Sequence, residues 1–246
     1  MLISEVLTNV SEVKWAKAYA AGDWQVQKIV SPPKPELKAG HAASDINLNG
    51  KNDPRREMYA DALMSYGSTS KQINDALHHH YRSGSLHKFD QDRKYNYGKG
   101  TVGPKVGNYI QMLDDIFANN VTTKPLRVYT GVPHDPMKTW KTHKADTTKP
   151  ITVHLPAYTS TSLDMETATN FGNHFLIIDL PAGTPAISGE KWTEHYEDEI
   201  ILGRGMILQI NPTPIKYGYK KAGVHHYTAY RAKIVGYDPV QLPLRK

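Results

Sequence analysis

The chain has 246 residues, 39% hydrophobic and 22% charged, which is enough apolar material for a sizeable core. It contains no cysteine, which excludes disulfides, thiolate metal sites and a thiol nucleophile, and no run of ~18 apolar residues offers a membrane span. The formal net charge of +6 favours acidic partners, whether nucleic acid, phosphate-bearing ligands or acidic proteins, without demanding one.

The N-terminus, "MLISEVLTNVSEVKW", has no cationic head followed by a long apolar stretch, so no signal peptide is expected and a cytoplasmic setting is. Residues 11–21, "SEVKWAKAYAA", predict a helix capped by Ser11 with Trp15, Ala18 and Tyr19 on one face. "WQVQKIV" predicts a short strand ended by Pro32, Pro33 and Pro35, and a polar, aperiodic linker follows to about Pro54. Residues 1–54 therefore read as a helical extension with a linker, and residues 55–246 as the main domain. In that domain "REMYADALMSY" predicts a helix. "SKQINDALHHHY" predicts another that starts after Ser68, with Ile73, Leu77 and Tyr81 on one face. "VGNYIQMLDDIFANN" predicts a further helix that brings Ile110, Leu113 and Phe117 together. After Lys124 the character changes to short β-rich runs separated by turns: "LRVYTGV", "ITVHL", "HFLIIDL", "EIILGRGMILQI" and "YTAYRAKIVGY". Helices first and strands afterwards predict an α+β fold.

Several apparent motifs lack the context their chemistry needs. "GKGTVG" at 98–103 has dinucleotide-loop spacing, but "DQDRKYNY" before it cannot be a buried strand, so a flexible loop is expected. His78, His79 and His80 are consecutive on a helix and diverge by about a hundred degrees per residue. They predict a surface patch rather than a metal site. Lys138, Lys141, Lys144 and Lys149 with Trp140, and Lys216, Lys220 and Lys221, form basic stretches that read as solvated faces, with a nucleic-acid or acidic-partner contact as the alternative.

Three fragments carry more: "PLRVYTGVP" (125–133), "AYTSTSLDMETATNFG" (157–172) and "YEDEIILGRG" (196–205). In a strand Glu197 and Glu199 share a face and Asp198 takes the other. Taken alone, the trio reads first as charges guarding a strand end. Ser160 and Ser162 also share a face, from which a serine could fix a carboxylate rotamer.

In this order and spacing the fragments resemble the arginine–serine–glutamate class of mono-ADP-ribosyltransferases, which includes binary-toxin and phage transferases. The resemblance spans roughly residues 55–235. It rests on Ser160–Thr161–Ser162, on Glu197-x-Glu199 and on the following "IILGRGMILQI", with "TSKQINDAL" similar to the helix before the first catalytic strand. It implies helices packed on a two-sheet β core of the ADP-ribosyltransferase type, NAD as substrate, and no metal.

By resemblance Glu199 is the catalytic carboxylate, held by Ser160, and Glu197 orients an acceptor arginine. Tyr129, Thr130, Gly131, Thr161 and Ser162 would line the cofactor cleft. Phe171 is a candidate to stack on nicotinamide, with a core position as its other reading. Trp192 and Tyr196 would contact the target. One departure stands out: the family's aromatic–arginine–glycine is Tyr129–Thr130–Gly131 here, so threonine occupies the phosphate-binding position. Arg127 is on the opposite strand face from Thr130 and would need a local bulge to reach the diphosphate. Arg204 is the alternative cation, and a surface arginine is the other reading of Arg127.

The expected activity is transfer of ADP-ribose from NAD to arginine of target proteins, in a phage-type enzyme acting in the host cytoplasm. Nucleic-acid-associated host proteins are candidate targets, and RNA a candidate acceptor. A catalytically impaired RNA- or protein-binding module on the same fold, and an NAD glycohydrolase, are the alternatives.

Overall fold

The computed structural model describes residues 55–83, 106–123, 125–140, 149–189, 198–220 and 224–239. The helix and strand expected within residues 1–54, the glycine loop at 98–103, and Lys141, Lys144 and Lys221 lie outside the described residues.

Helix α1 (Arg55–Ser83) is continuous, whereas the sequence predicted a break near Ser68. Its buried residues explain the difference. Tyr59, Ala62, Leu63, Tyr66, Ile73, Ala76 and Leu77 keep one helical face in register across the Gly67–Ser70 stretch, because 66 and 73 are two turns apart. A glycine in a helix costs ~1 kcal/mol. Burying any one of the larger apolar side chains is worth ~1.5–3 kcal/mol, so packing outweighs propensity. The same face carries His80, only 4% exposed, so this histidine belongs to the core side and not to a surface patch. Helix α2 (Val106–Asn119) packs beside α1, burying Val106, Tyr109, Ile110, Leu113, Ile116 and Phe117.

The strands are β1 (Leu126–Val132), β2 (Ile151–Leu155), β3 (Thr159–Ser162), β4 (His174–Leu180), β5 (Ala186–Ser188), β6 (Glu199–Leu202), β7 (Met206–Ile210), β8 (Ile215–Lys220) and β9 (Val224–Tyr237). Two short helices, α3 (Pro136–Thr139) and α4 (Met165–Thr169), sit between strands. The run predicted as one strand over 199–210 is two strands, since Gly205 at φ 82° turns the chain between β6 and β7.

Hydrogen bonding follows the order β2-β7-β9-β4-β1-β3-β6-β5, with β8 on β9. β4 and β9 are parallel and the other pairs antiparallel. β1 and β3 are joined by one residue pair, Tyr129 with Ser162. The sheet is therefore two parts meeting at a seam, which gives the expected two-sheet core its form: an α+β fold of a mixed sheet and few helices. Strand alternation sorts the side chains. Ile187 and Ile201 face α1 and α2, whereas Ala186, Ile200 and Leu202 face Leu126, Val128, Leu176, Ile178 and Leu208 of the larger part. On the far side of the larger part, Tyr129, Phe175 and Ile177 pack under Met165 and Ala168 of α4. Among the described residues no helix is long and apolar enough to cross a membrane.

Candidate active site

The smaller sheet part assembles the polar centre. Antiparallel pairing of β3 with β6 sets Ser162 opposite Glu199 and Ser160 opposite Ile201, so Ser160, Ser162 and Glu199 share the face turned to α1. Glu199 is 8% exposed. Tyr66 reaches this face from α1. Its hydroxyl is within hydrogen-bonding reach of the Ser160 side chain and accepts from Asn74 Nδ2 at 3.4 Å. Burial pushes the Tyr66 phenol up to about 12. The Ser160 and Asn74 hydrogen bonds pull the other way, and the negative charge of Glu199 adds to the rise. Tyr66, which lies beside Ser160 and feels the charge of Glu199, was passed over by sequence reasoning because a tyrosine on an amphipathic helix reads as core.

Gly189 forms the floor beneath the carboxylate. Its amide donates to the Glu199 carbonyl at 2.8 Å, and a Cβ built there would overlap the Glu199 carboxylate. Only glycine leaves that space. No pattern in "AISG" signals this, because the contact depends on the pairing of β5 with β6.

The entry to β6 differs from the expectation. Asp198 has φ 49°, and the strand begins at Glu199, so strand alternation does not run through Asp198. Its carbonyl accepts from Leu163 N at 3.0 Å, which pins the kink to the end of β3. Glu197, Trp192 and Tyr196 lie outside the described residues.

Thr161 and Ser162, expected to line the cleft, are each 4% exposed and serve the backbone. Thr161 Oγ1 donates to the Ile200 carbonyl at 2.6 Å, and Ser162 Oγ accepts from Asp164 N at 2.9 Å. Asp164 in turn caps α4, accepting from Glu166 N and Thr167 N. Tyr129 is likewise not a cleft residue: it is 1% exposed in the core under α4. Gly131 shares that face, where a Cβ would collide with the Ala168 carbonyl and the Phe171 Cβ. Phe171 is 56% exposed, so the core reading of this side chain is corrected.

The β1 side carries the clearest departure. The register with β4 is unbroken from Leu126 to Val132, so no bulge swings Arg127 around. Its Nε donates to Asp179 Oδ1 at 2.7 Å, on the strand face opposite Thr130. Arg204 is also committed elsewhere, 4% exposed and bonded through Nε and Nη2 to both oxygens of Asp114 on α2. Burial alone would lower the Arg204 pKa, but the Asp114 hydrogen bonds and charge outweigh it and raise it. Tyr158 Oη lies 2.7 Å from Asp114 Oδ1 and 3.0 Å from the Ile110 carbonyl. What β1 offers near the serine is Thr130, whose Oγ1 donates to the Ser160 carbonyl at 3.0 Å.

Elsewhere, Trp140 is half-buried against the main core rather than displayed among the lysines, while Lys138 and Lys149 are exposed. Among the described residues no three His, Cys, Asp or Glu side chains converge as a metal site.

The profile of one protein family, the ADP-ribosyltransferase exoenzymes, matches residues 56–229. Three solved structures show the same fold. Plx2a, an ADP-ribosyltransferase toxin from Paenibacillus larvae, is 13% identical with a TM-score of 0.54, over 73% of this chain and 87% of that one. The enzymatic component C2-I of the C2 toxin from Clostridium botulinum is 14% identical with a TM-score of 0.55, over 75% of this chain and 44% of that one. C3stau2 from S. aureus, solved with NAD, is 16% identical with a TM-score of 0.51, over 92% and 94%. No curated protein sequence matches the chain.

Proposed function

The chain belongs to the ADP-ribosyltransferase exoenzyme family, whose substrate is NAD, and from that premise we propose that it transfers ADP-ribose to arginine of target proteins. The observation that carries the proposal is the β3–β6 register, which turns Ser160 and Glu199 to one face beside the Tyr66 hydroxyl. Cleaving the N-glycosidic bond of NAD releases nicotinamide and builds positive charge on the ribose, as in other oxocarbenium-like reactions. An ionised carboxylate at that ribose stabilises the charge more as it develops than before, which lowers the barrier. Glu199 is assigned this role, with Ser160 holding its rotamer. Glu197 is assigned the acceptor: its carboxylate would pair with a guanidinium, whose nitrogen attacks the ribose carbon and loses a proton as the new bond forms. Trp192 and Tyr196 are assigned to the target surface, and Phe171, exposed beside Gly131, to nicotinamide. A bacterial host protein as target rests on the sequence resemblance alone.

A second reading has its own support. With Thr130 at the usual arginine position, and with Arg127 and Arg204 both in ion pairs, no arginine so far named faces the cleft from β1. That favours a module that binds partners on this fold with an impaired active site.

The test is nicotinamide release measured beside transfer of labelled ADP-ribose to protein. Glu199→Gln should abolish both, because every reaction of NAD here passes through the same charged ribose. Glu197→Gln should retain NAD hydrolysis and lose arginine modification. Labelled RNA in place of labelled protein would move the acceptor assignment. A wild-type protein that releases no nicotinamide would establish the second reading.

A further inference from the structure

We propose that Tyr66 is a positioning residue for bond cleavage, its hydroxyl holding Ser160, and through Ser160 the Glu199 carboxylate, in the working orientation. This inference rests on the assignment of Ser160 and Glu199 as the reacting pair.

The hydroxyl has no packing reason to be where it is. Tyr66 is 2% exposed, and its ring alone would fill the same space as a phenylalanine. Burying a hydroxyl is unfavourable without partners, and the partners present are Ser160 and Asn74. The ring is held on several sides. Asn74 Nδ2 also donates to the Tyr158 carbonyl at 3.1 Å, tying α1 to the residue just before β3. The Tyr66 ring stands edge-on to Tyr158, with centroids 5.6 Å apart and planes at 82°. Tyr158 is itself stacked on Phe117 at 5.2 Å and anchored by its hydroxyl to Asp114 and the Ile110 carbonyl. Asp114 is held by Arg204. A rigid chain of contacts therefore runs from α2 to the hydroxyl that meets the catalytic serine.

Charge supports the same role. A phenolate would repel the neighbouring Glu199, and burial keeps the phenol protonated, its pKa pushed up to about 12. Neutral Tyr66 can accept from Ser160 without adding a like charge to the site.

The experiment compares purified wild type with Tyr66→Phe, Ser160→Ala, the double variant and Glu199→Gln, reading nicotinamide release at varied NAD. Tyr66→Phe keeps the ring, so its melting temperature and KM for NAD should stay close to wild type. Its kcat should fall on the order of 10- to 100-fold, the usual effect of losing a group that orients a reacting one. If Tyr66 acts through Ser160, the double variant should be no slower than Ser160→Ala. A tyrosine that only packs would instead lower the melting temperature and leave kcat within about twofold. That result, or losses that multiply in the double variant, would overturn the proposal. An active Glu199→Gln would overturn the underlying assignment of the site, whatever Tyr66→Phe does.

Discussion

The two parts of the sheet treat their polar residues differently. In the smaller part, β3 and β6 turn exposed Ser160 and buried Glu199 to one face, toward a tyrosine hydroxyl on α1. In the larger part, the β1 arginine is used to lock a strand pair, Arg127 to Asp179, on the face away from Thr130. Bond cleavage and diphosphate binding are thus served unequally. The groups proposed to stabilise a developing ribose cation lie on one face of the β3–β6 pair. On β1, Arg127 is turned to Asp179 and Thr130 to the Ser160 carbonyl.

The strongest way to break that contrast is at Gly189. A Cβ there overlaps the Glu199 carboxylate, so Gly189→Ala must rotate the glutamate out of place. Displacing a reacting group by an ångström costs ~100-fold, so nicotinamide release should fall by about that factor or more while the circular dichroism spectrum is retained. An alanine variant of normal rate would mean that Glu199 is not the reacting carboxylate in this conformation.

A smaller effect is expected from the ion pair that supports Tyr158. Removing Arg204 leaves Asp114 beside buried tyrosine without its cation, and breaking such a pair costs ~3–5 kcal/mol. Because the Asp114 side chain is 29% exposed, water recovers part of this, and Arg204→Met should lose about 3 kcal/mol or less in a urea melt. Replacing both partners by apolar residues should restore much of that loss. Unchanged stability in Arg204→Met would remove the pair from the account of how the site is held.

The smallest effect sharpens the β1 side. Arg127→Ala should leave the NAD dissociation constant within about twofold, because losing a charge-assisted phosphate contact would cost ~1.5–3 kcal/mol and no such contact is expected. Stability should drop by about 1–2 kcal/mol, since Asp179 is 30% exposed and can be rehydrated. Isothermal titration with NAD reads the first quantity and a denaturant melt the second. A tenfold weaker affinity would place Arg127 at the diphosphate after all.

The sequence carried the strands well where turn residues bound them. "LRVYTGV", "ITVHL" and "HFLIIDL" are β1, β2 and β4 with the same ends. It missed β5, which is only three residues long, and β8, whose Ile215, Tyr217 and Tyr219 alternate with Lys216, Gly218 and Lys220 in a hairpin with β9. α1 was read as two helices because Gly67 and the serines after it look like a break, and only the shared buried face shows otherwise. At the site, Ser160 and Glu199 were paired by resemblance, and the β3–β6 register sets them on one face of the sheet. Thr161 and Ser162 were expected in the cleft because a hydroxyl looks the same in sequence whether it faces a ligand, a backbone carbonyl as Thr161 does, or a backbone amide as Ser162 does. The roles of Tyr66 and Gly189 depend on contacts across 94 and 10 residues of chain, from 66 to 160 and from 189 to 199, that no local pattern encodes.

The seam between Tyr129 and Ser162 has a mechanical consequence. Prising apart an ordinary strand pair breaks a row of backbone hydrogen bonds, each worth ~1 kcal/mol net. Between β1 and β3, one ladder pair and the Thr130 hydroxyl are the bonds seen, and apolar side chains of both parts pack across the joint. The seam is therefore the line in the sheet with the shortest strand-to-strand ladder, and it runs beside Ser160. Strain along the seam would reach the Thr130 bond to the Ser160 carbonyl before it reached the β3–β6 ladder.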